Sequence, residues 1–208
     1  MKNNRIGIGF IGGGFITRFH IQSLISVRNV DVFGVVSRTR SSAEESAAIA
    51  NKIGVGVDAK AYDSITEMIA DPNIDAVLIA TSTDTHSELI EQSVAAGKAV
   101  FCEKPVDLSL ERARLCYSNI KAASLPIMIG FNRRFDPNFK ALKSALDAGE
   151  VGKAELLSIT SFDPAPPPLA YIKVSGGLFK DMMIHDFDMV NFLFEGLPKS
   201  IMVSASSV

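Results

Sequence analysis

Hydrophobic and polar positions follow two rhythms along the first part of the chain. Short apolar runs rich in β-branched residues are followed by stretches with apolar positions at helical spacing, the order that βαβ units require. RIGIGFIG (5–12) predicts a first strand and Phe15–Ser26 a helix. DVFGVVS (31–37) predicts a second strand. SSAEESAAIANKIG follows it as a helix whose early serines and glutamates suit a helix N-terminus. IDAVLIAT (74–81) is continuously apolar, as a strand covered on both faces should be. THSELIEQSVAAGK predicts a helix closed by Gly97. KAVFCEK, LSLERARLCYSNIKAAS and PIMIGF (126–131) then predict strand, helix and strand. The sum is an α/β doubly wound parallel sheet, whose ligand crevice lies beyond the carboxyl ends of its strands.

After Arg134 the rhythm changes. DPNFKALKSALDAGEVG predicts a helix ending near Gly149, and AELLSITSF (154–162) alternates like a strand. DPAPPPLAYIKVSGG is rich in proline and glycine and predicts a loop. LFKDMMIHDFDMVNFLFEG predicts one helix, and KSIMVSASSV opens a further strand. Two domains are therefore expected, 1–132 and 133–208. The second is a small core that would leave a sheet edge unpaired, so the chain is expected to stop short of a complete second domain.

Composition narrows the classes. The 208 residues are 47% hydrophobic and 21% charged, the balance of a soluble globular protein and not of a disordered or membrane chain. A net charge of −2, from 21 basic and 23 acidic residues, provides no footprint for nucleic acid or an anionic membrane. Apolar runs such as AVLIA (76–80) are too short to span a bilayer. Glycines interrupt the apolar N-terminal run, which reads as the first strand and not as a signal peptide. The only cysteines, Cys102 and Cys116, lack metal-like spacing and read as buried thiols in a reducing cytoplasm.

Five clusters carry candidate chemistry. Gly12-Gly13-Gly14-Phe15-Ile16-Thr17 sits between a strand and a helix, the context in which such a turn cradles a dinucleotide pyrophosphate. Gly12, Gly14, Phe15 and Ile16 are its candidate cofactor contacts, and Thr17 replaces the third glycine of the G-x-G-x-x-G pattern. At the end of the second strand, Ser37-Arg38-Thr39-Arg40 has no acid for a ribose hydroxyl. Ser37 and Arg38, with Arg40, favour the extra phosphate of NADP over NAD, a solvated basic loop being the alternative. Thr81, Thr83 and His86 lie where a nicotinamide ribose would fall, although Thr83 or Asp84 would also serve as a helix cap. In FCEKPVDL, Lys104 stands at the carboxyl end of a central strand, beside a proline suited to a sharp turn.

The fifth cluster lies far along the chain. Asp181 and His185 are one helical turn apart and are expected to share a face. Met183, Phe187, Val190 and Phe194 form the stripe expected to bury that helix. With three histidines in the chain and no second cluster to complete four ligands, no metal site is expected.

Together GFIGGGFI, TSTDTH, GKAVFCEKPVDL, GFNRRFDP (130–137) and SGGLFKDMMIHDFDM (175–189) resemble the glucose–fructose oxidoreductase, inositol dehydrogenase and MocA family, and its inositol dehydrogenase branch in particular. The resemblance implies a Rossmann domain followed by an α+β domain with an open antiparallel sheet, through which such proteins form homo-oligomers. It implies NAD or NADP as cofactor, a polyol or sugar as substrate and hydride transfer as the reaction. By match to the family's motifs, Lys104 would bond the reacting hydroxyl, His185 would be the general base and Asp181 would orient it. Glu103 would contact the cofactor, and Asn132 and Arg133 would line the polyol pocket. A dinucleotide-binding chain without turnover is the competing expectation.

Overall fold

The computed structural model describes residues 5–194, 196 and 198–206. Six strands, β1 (Ile6–Ile11), β2 (Val30–Val36), β3 (Gly56–Ala61), β4 (Ala76–Ile79), β5 (Ala99–Cys102) and β6 (Ile127–Ile129), form one sheet. All its pairs are parallel, in the order β3-β2-β1-β4-β5-β6. The order reverses between β1 and β4, the switch point at which doubly wound sheets open a crevice. Helices α1 (Phe15–Ser23), α2 (Arg40–Lys52), α3 (Ile65–Ala70), α4 (His86–Ala95) and α5 (Leu110–Ile120) connect the strands.

Period-2 geometry sends successive strand residues to opposite faces. Ile11, Val36, Val77, Ile79, Val100 and Cys102 enter one buried cluster, while Phe10, Val35 and Leu78 enter another. That is why these strands read as continuously apolar: both faces are covered. The predicted strands and helices of this half all form. Sequence reading passed over β3 and α3. The strand is at the sheet edge, with Val57 exposed and Ala59 its buried residue, so it carries no apolar run. The start of α3 was legible: Ser64 accepts the Glu67 backbone N–H, and the Glu67 carboxylate accepts that of Asp63. Between α4 and α5, Arg112 forms two parallel bonds to Glu91, of 2.7 and 2.6 Å, and Asn119 adds a third donor.

The residues divide into two compact units, one running to Gly130 with Val174–Gly176, the other Phe131–Lys173 with the residues from Gly177 onward. The second contains α6 (Pro137–Asp147), α7 (Leu169–Ile172), α8 (Gly177–Asp181) and α9 (Ile184–Leu193). Asp136 starts α6 by accepting the Asn138 and Phe139 N–H groups, with proline at the first helical position.

Three expectations fail in this unit. Residues 154–162 form no strand, because a strand is half of a ladder and no ladder partner lies among the described residues; Leu156 and Phe162 are each 88% exposed. The described part of KSIMVSASSV, to 206, is likewise not a strand, and its last two residues lie outside the described set. The single helix expected over 178–196 is broken at Met182-Met183, which resets the helical phase. The buried residues of α9 are consequently Asp188, Met189 and Leu193, whereas Phe187 and Val190 of the expected stripe are exposed. Among the described residues no helix is long and apolar enough to cross a membrane.

Hydrogen bonds from Arg112 hold the Glu91 carboxyl below the usual carboxylate range, and the Tyr62 hydroxyl does the same for Asp71. The unfolded chain therefore takes up more protons as pH falls through that range, and stability falls with it. Urea unfolding should show the midpoint dropping on acidification. Glu91→Gln should begin lower at neutral pH and lose less in acid; an acid loss equal to that of the parent would contradict the pairing.

Candidate functional site

One row of backbone hydrogen bonds extends past the strand ends. Gly12 donates to Val36, Ala80 to Ile11, Glu103 to Ile79 and Gly130 to Cys102, at 2.8–2.9 Å. The residues that follow β1, β4, β5 and β6 are thereby set side by side along the carboxyl edge of the sheet.

The glycine turn follows β1. Gly12 has φ +114°, and a Cβ there would lie 2.3 Å from the Ala80 carbonyl oxygen, so only glycine fits. A Cβ on Gly13 would lie 2.9 Å from Ser37 Oγ and from Ser42 Cβ, which packs Ser37 against the turn. Thr17 is fully buried, and its hydroxyl donates to the Gly12 carbonyl at 3.0 Å. The departure from the glycine pattern is thus a brace across the turn. Gly14, by contrast, would give a Cβ nothing within 4 Å. It is the N-cap of α1 and makes no side-chain cap bond, with Phe15 and Ile16 exposed after it. The first N–H groups of α1 are open to an anion, so the residues present fit a dinucleotide pyrophosphate.

At the end of β2, Arg40 pairs with Glu44 and with Asp63. Both pairs lie at the surface, and exposed Arg38 is the neighbouring basic residue. Beyond β4, Thr81 and Thr85 share a 2.7 Å hydroxyl bond and a 3-10 turn spans Thr83–Thr85. Neither Thr83 nor Asp84 caps α4; its N-cap is Thr85, without a side-chain bond. His86 is 1% exposed, with Nδ1 2.7 Å from the Pro105 carbonyl and Nε2 3.3 Å from that of Thr81. A backbone carbonyl oxygen thus faces each of its ring nitrogens.

The β5 end carries Glu103, Lys104 and Pro105, the Lys104–Pro105 bond being cis. Glu103 Oε1 lies 2.7 Å from Nε2 of His20, a residue of α1. Burial pushes the Glu103 carboxyl up, but the hydrogen bond and charge of His20, with the N–H and charge of Lys104, hold it below the usual range. Since an ionised carboxylate only accepts, Nε2 of His20 carries the hydrogen. Space for the carboxylate comes from Gly130, where a Cβ would lie 3.2 Å from Glu103 Oε2. His20 escaped sequence reading because a lone polar residue on an amphipathic helix carries no signal. Burial raises the thiol of Cys102 and pushes that of Cys116 up to about 11, so neither is a nucleophile at neutral pH.

In the second unit, a 3-10 turn over Asn132–Phe135 presents two arginines. Arg133 Nη1 donates to Asp186 Oδ1 at 2.5 Å, and Ser161 Oγ donates to the same oxygen at 2.7 Å. Arg133, expected to line a polyol pocket, has its guanidinium bonded to α9, and Asn132 is exposed. Arg134 binds both oxygens of buried Asp188, at 2.8 and 2.5 Å, with its guanidinium over the rings of Phe131 and Phe192. Asp181 and His185 do not share one helix: the first ends α8 and the second lies in the opening turn of α9. Asp181 Oδ1 accepts from the Tyr171 hydroxyl at 2.8 Å. Burial, then the Asp181 carboxylate, pushes Tyr171 up to about 12.

Residues 6–131 match the oxidoreductase family with NAD-binding Rossmann fold, and residues 139–208 match the GFO/IDH/MocA C-terminal domain. The chain is 44% identical to inositol 2-dehydrogenase of Rhizobium meliloti, over 97% of this chain and 58% of that protein. It is 46% identical to myo-inositol 2-dehydrogenase of Thermotoga maritima, over 89% of this chain and 54% of that one. The crystal structure of a myo-inositol dehydrogenase from Corynebacterium glutamicum superposes with a TM-score of 0.82 at 36% identity, covering 91% of this chain and 55% of that one. The chain thus spans little more than half the length of these relatives. With both family domains matched in order, the chain belongs to the GFO/IDH/MocA oxidoreductases, an NAD-binding Rossmann domain followed by that family's C-terminal domain.

Proposed function

We propose that the chain serves an NAD(P)-dependent dehydrogenase that moves hydride between nicotinamide and a secondary alcohol of an inositol-like polyol. The observation that carries the reading is the place of Lys104, which follows β5 on the same carboxyl edge as the glycine turn. The names of the relatives, inositol 2-dehydrogenases, supply the substrate class. Gly12, Gly14 and the first N–H groups of α1 would hold the pyrophosphate, and the bound nicotinamide would supply the hydride chemistry. Ser37 and Arg38 lie toward the adenosine end, and Thr81, Thr83 and Glu103 toward the nicotinamide ribose.

Each protein group has a task suited to its chemistry. The Lys104 ammonium stabilises the alkoxide that develops as the hydroxyl proton leaves. His185 is the base that takes that proton, an imidazole being able to accept one near neutrality. Asp181 orients the substrate, and exposed Asn132 contacts the polyol. A second reading, dinucleotide binding without turnover, is favoured by the exposure of Leu156, Phe162 and Met202 in segments that form no strand among the described residues.

Mixing the purified chain with myo-inositol and NAD or NADP should raise nicotinamide absorbance, and Lys104→Ala and His185→Ala should each lower kcat by about a hundredfold or more. Cofactor bound tightly with no turnover on several polyols would select the second reading. Gly14→Val should melt within a few degrees of the parent, since its Cβ meets nothing, yet weaken NADH binding, read by nicotinamide fluorescence, by roughly tenfold. Arg38→Ala should weaken NADPH by about tenfold, the loss of one charge-assisted bond, and leave NADH nearly unchanged. Equal loss for both cofactors would remove Arg38 from the phosphate contact.

A further inference from the structure

Two of the three histidines of the chain touch the residues immediately before and after Lys104. His20 reaches from α1 to the Glu103 side chain, and His86 reaches from the first turn of α4 to the Pro105 carbonyl. The Glu103 carboxylate and the Pro105 carbonyl only accept, so Nε2–H of His20 donates to the first and Nδ1–H of His86 to the second, the shorter of the two carbonyl contacts of that ring. Neither ring is loosely placed. His20 lies edge-on to Phe101 at 5.3 Å, and His86 is buried.

We infer that His20 and His86 form a bracket that positions Lys104, one ring holding the residue on each side of it. The inference rests on the reading of Lys104 as the group that meets the substrate hydroxyl, and both histidines are positioning residues acting through their neighbours. His86 holds the backbone at 105, and the Glu103 carboxylate that His20 holds also accepts the Lys104 N–H, which limits where the long Lys104 side chain can extend; misplacing a catalytic group by a small distance is costly. The arrangement also links the bracket to the cofactor side. His20 belongs to the helix whose N-terminus faces the pyrophosphate position, and His86 follows the Thr81–Thr85 turn. A displacement of either would reach Lys104 through one hydrogen bond.

The test compares non-donor and donor replacements. His20→Phe and His86→Leu remove the N–H. His20→Gln carries an amide N–H near the Nε2 position, and His86→Asn carries one near Nδ1. Two readouts apply to each: kcat and KM with NAD(P) and myo-inositol, and the rate of Lys104 acetylation by acetic anhydride relative to the other lysines, by peptide mass spectrometry. The bracket predicts that His20→Phe lowers kcat by roughly tenfold or more, with a smaller effect on the cofactor KM, and alters the relative Lys104 acetylation rate. His20→Gln and His86→Asn should recover most of both. A folded His20→Phe with unaltered kcat and Lys104 labelling would overturn the inference, as would His20→Gln behaving no better than His20→Phe. If His86→Leu does not fold, His86→Asn decides that side: parental Lys104 labelling supports the bracket, and altered labelling in the folded protein opposes it. A parent chain without turnover would defeat the hydride-transfer reading alone; the labelling comparison would still decide the bracket.

Discussion

The site depends on a run of parallel backbone hydrogen bonds that continues past the strand ends. Because a parallel ladder advances all its strands in one direction, the residues following β1, β4, β5 and β6 emerge together on one edge. Gly12, Ala80, Glu103 and Gly130 are aligned by those bonds before any side chain contributes. The side chains then exploit the alignment. A Cβ on Gly12 would collide with the carbonyl of Ala80, and one on Gly130 would crowd the Glu103 carboxylate. Adjacent strand ends therefore constrain each other's residue type, which is how a sheet edge becomes a shaped surface.

Charge on that edge follows from its burial. Glu103 is mostly enclosed, a position that favours the neutral acid, yet a histidine on one side and a lysine on the other keep it ionised. The carboxylate fixes the tautomer of His20, while His86 has a carbonyl oxygen at each ring nitrogen, Pro105 at 2.7 Å and Thr81 at 3.3 Å. Two unlike hydrogen bonds thus hold one turn of chain around Lys104. A single bond would constrain its position; two from different helices also constrain its direction.

Much of this was legible in the residues. Apolar runs marked the strands covered on both faces, and the glycine cluster between strand and helix marked the turn. The edge strand β3 was not legible, because half-exposed Gly56–Ala61 carries no apolar run. Thr17 read as a defect until its hydroxyl was seen to bond the Gly12 carbonyl. Arg40 read as a phosphate ligand because a sequence shows a cation without its partners, here Glu44 and Asp63. Local sequence reports what a side chain can bond; the tertiary fold decides what it does bond.

The second unit shows that difference most sharply. Its helical spacing suggested one continuous helix with a Met183-Phe187-Val190-Phe194 seam, and the break at Met182-Met183 voids the phase on which that seam was counted. The apolar face of α9 is instead the buried pair Met189 and Leu193, and two ion pairs act beside it. Asp186 and Asp188 are two residues apart, about 200° around a helix, and adjacent arginines hold them, Arg133 the first and Arg134 the second. Arg134 grips both oxygens of Asp188 with two nitrogens, and Arg133 holds Asp186 through one, so the helix is tied at two points around its axis. Burial of Asp188 makes the second grip all the more demanding, since losing Arg134 would strand an enclosed carboxylate. The RR of GFNRRFDP therefore ties the turn before α6 to α9 at two points, one on each side of Phe187.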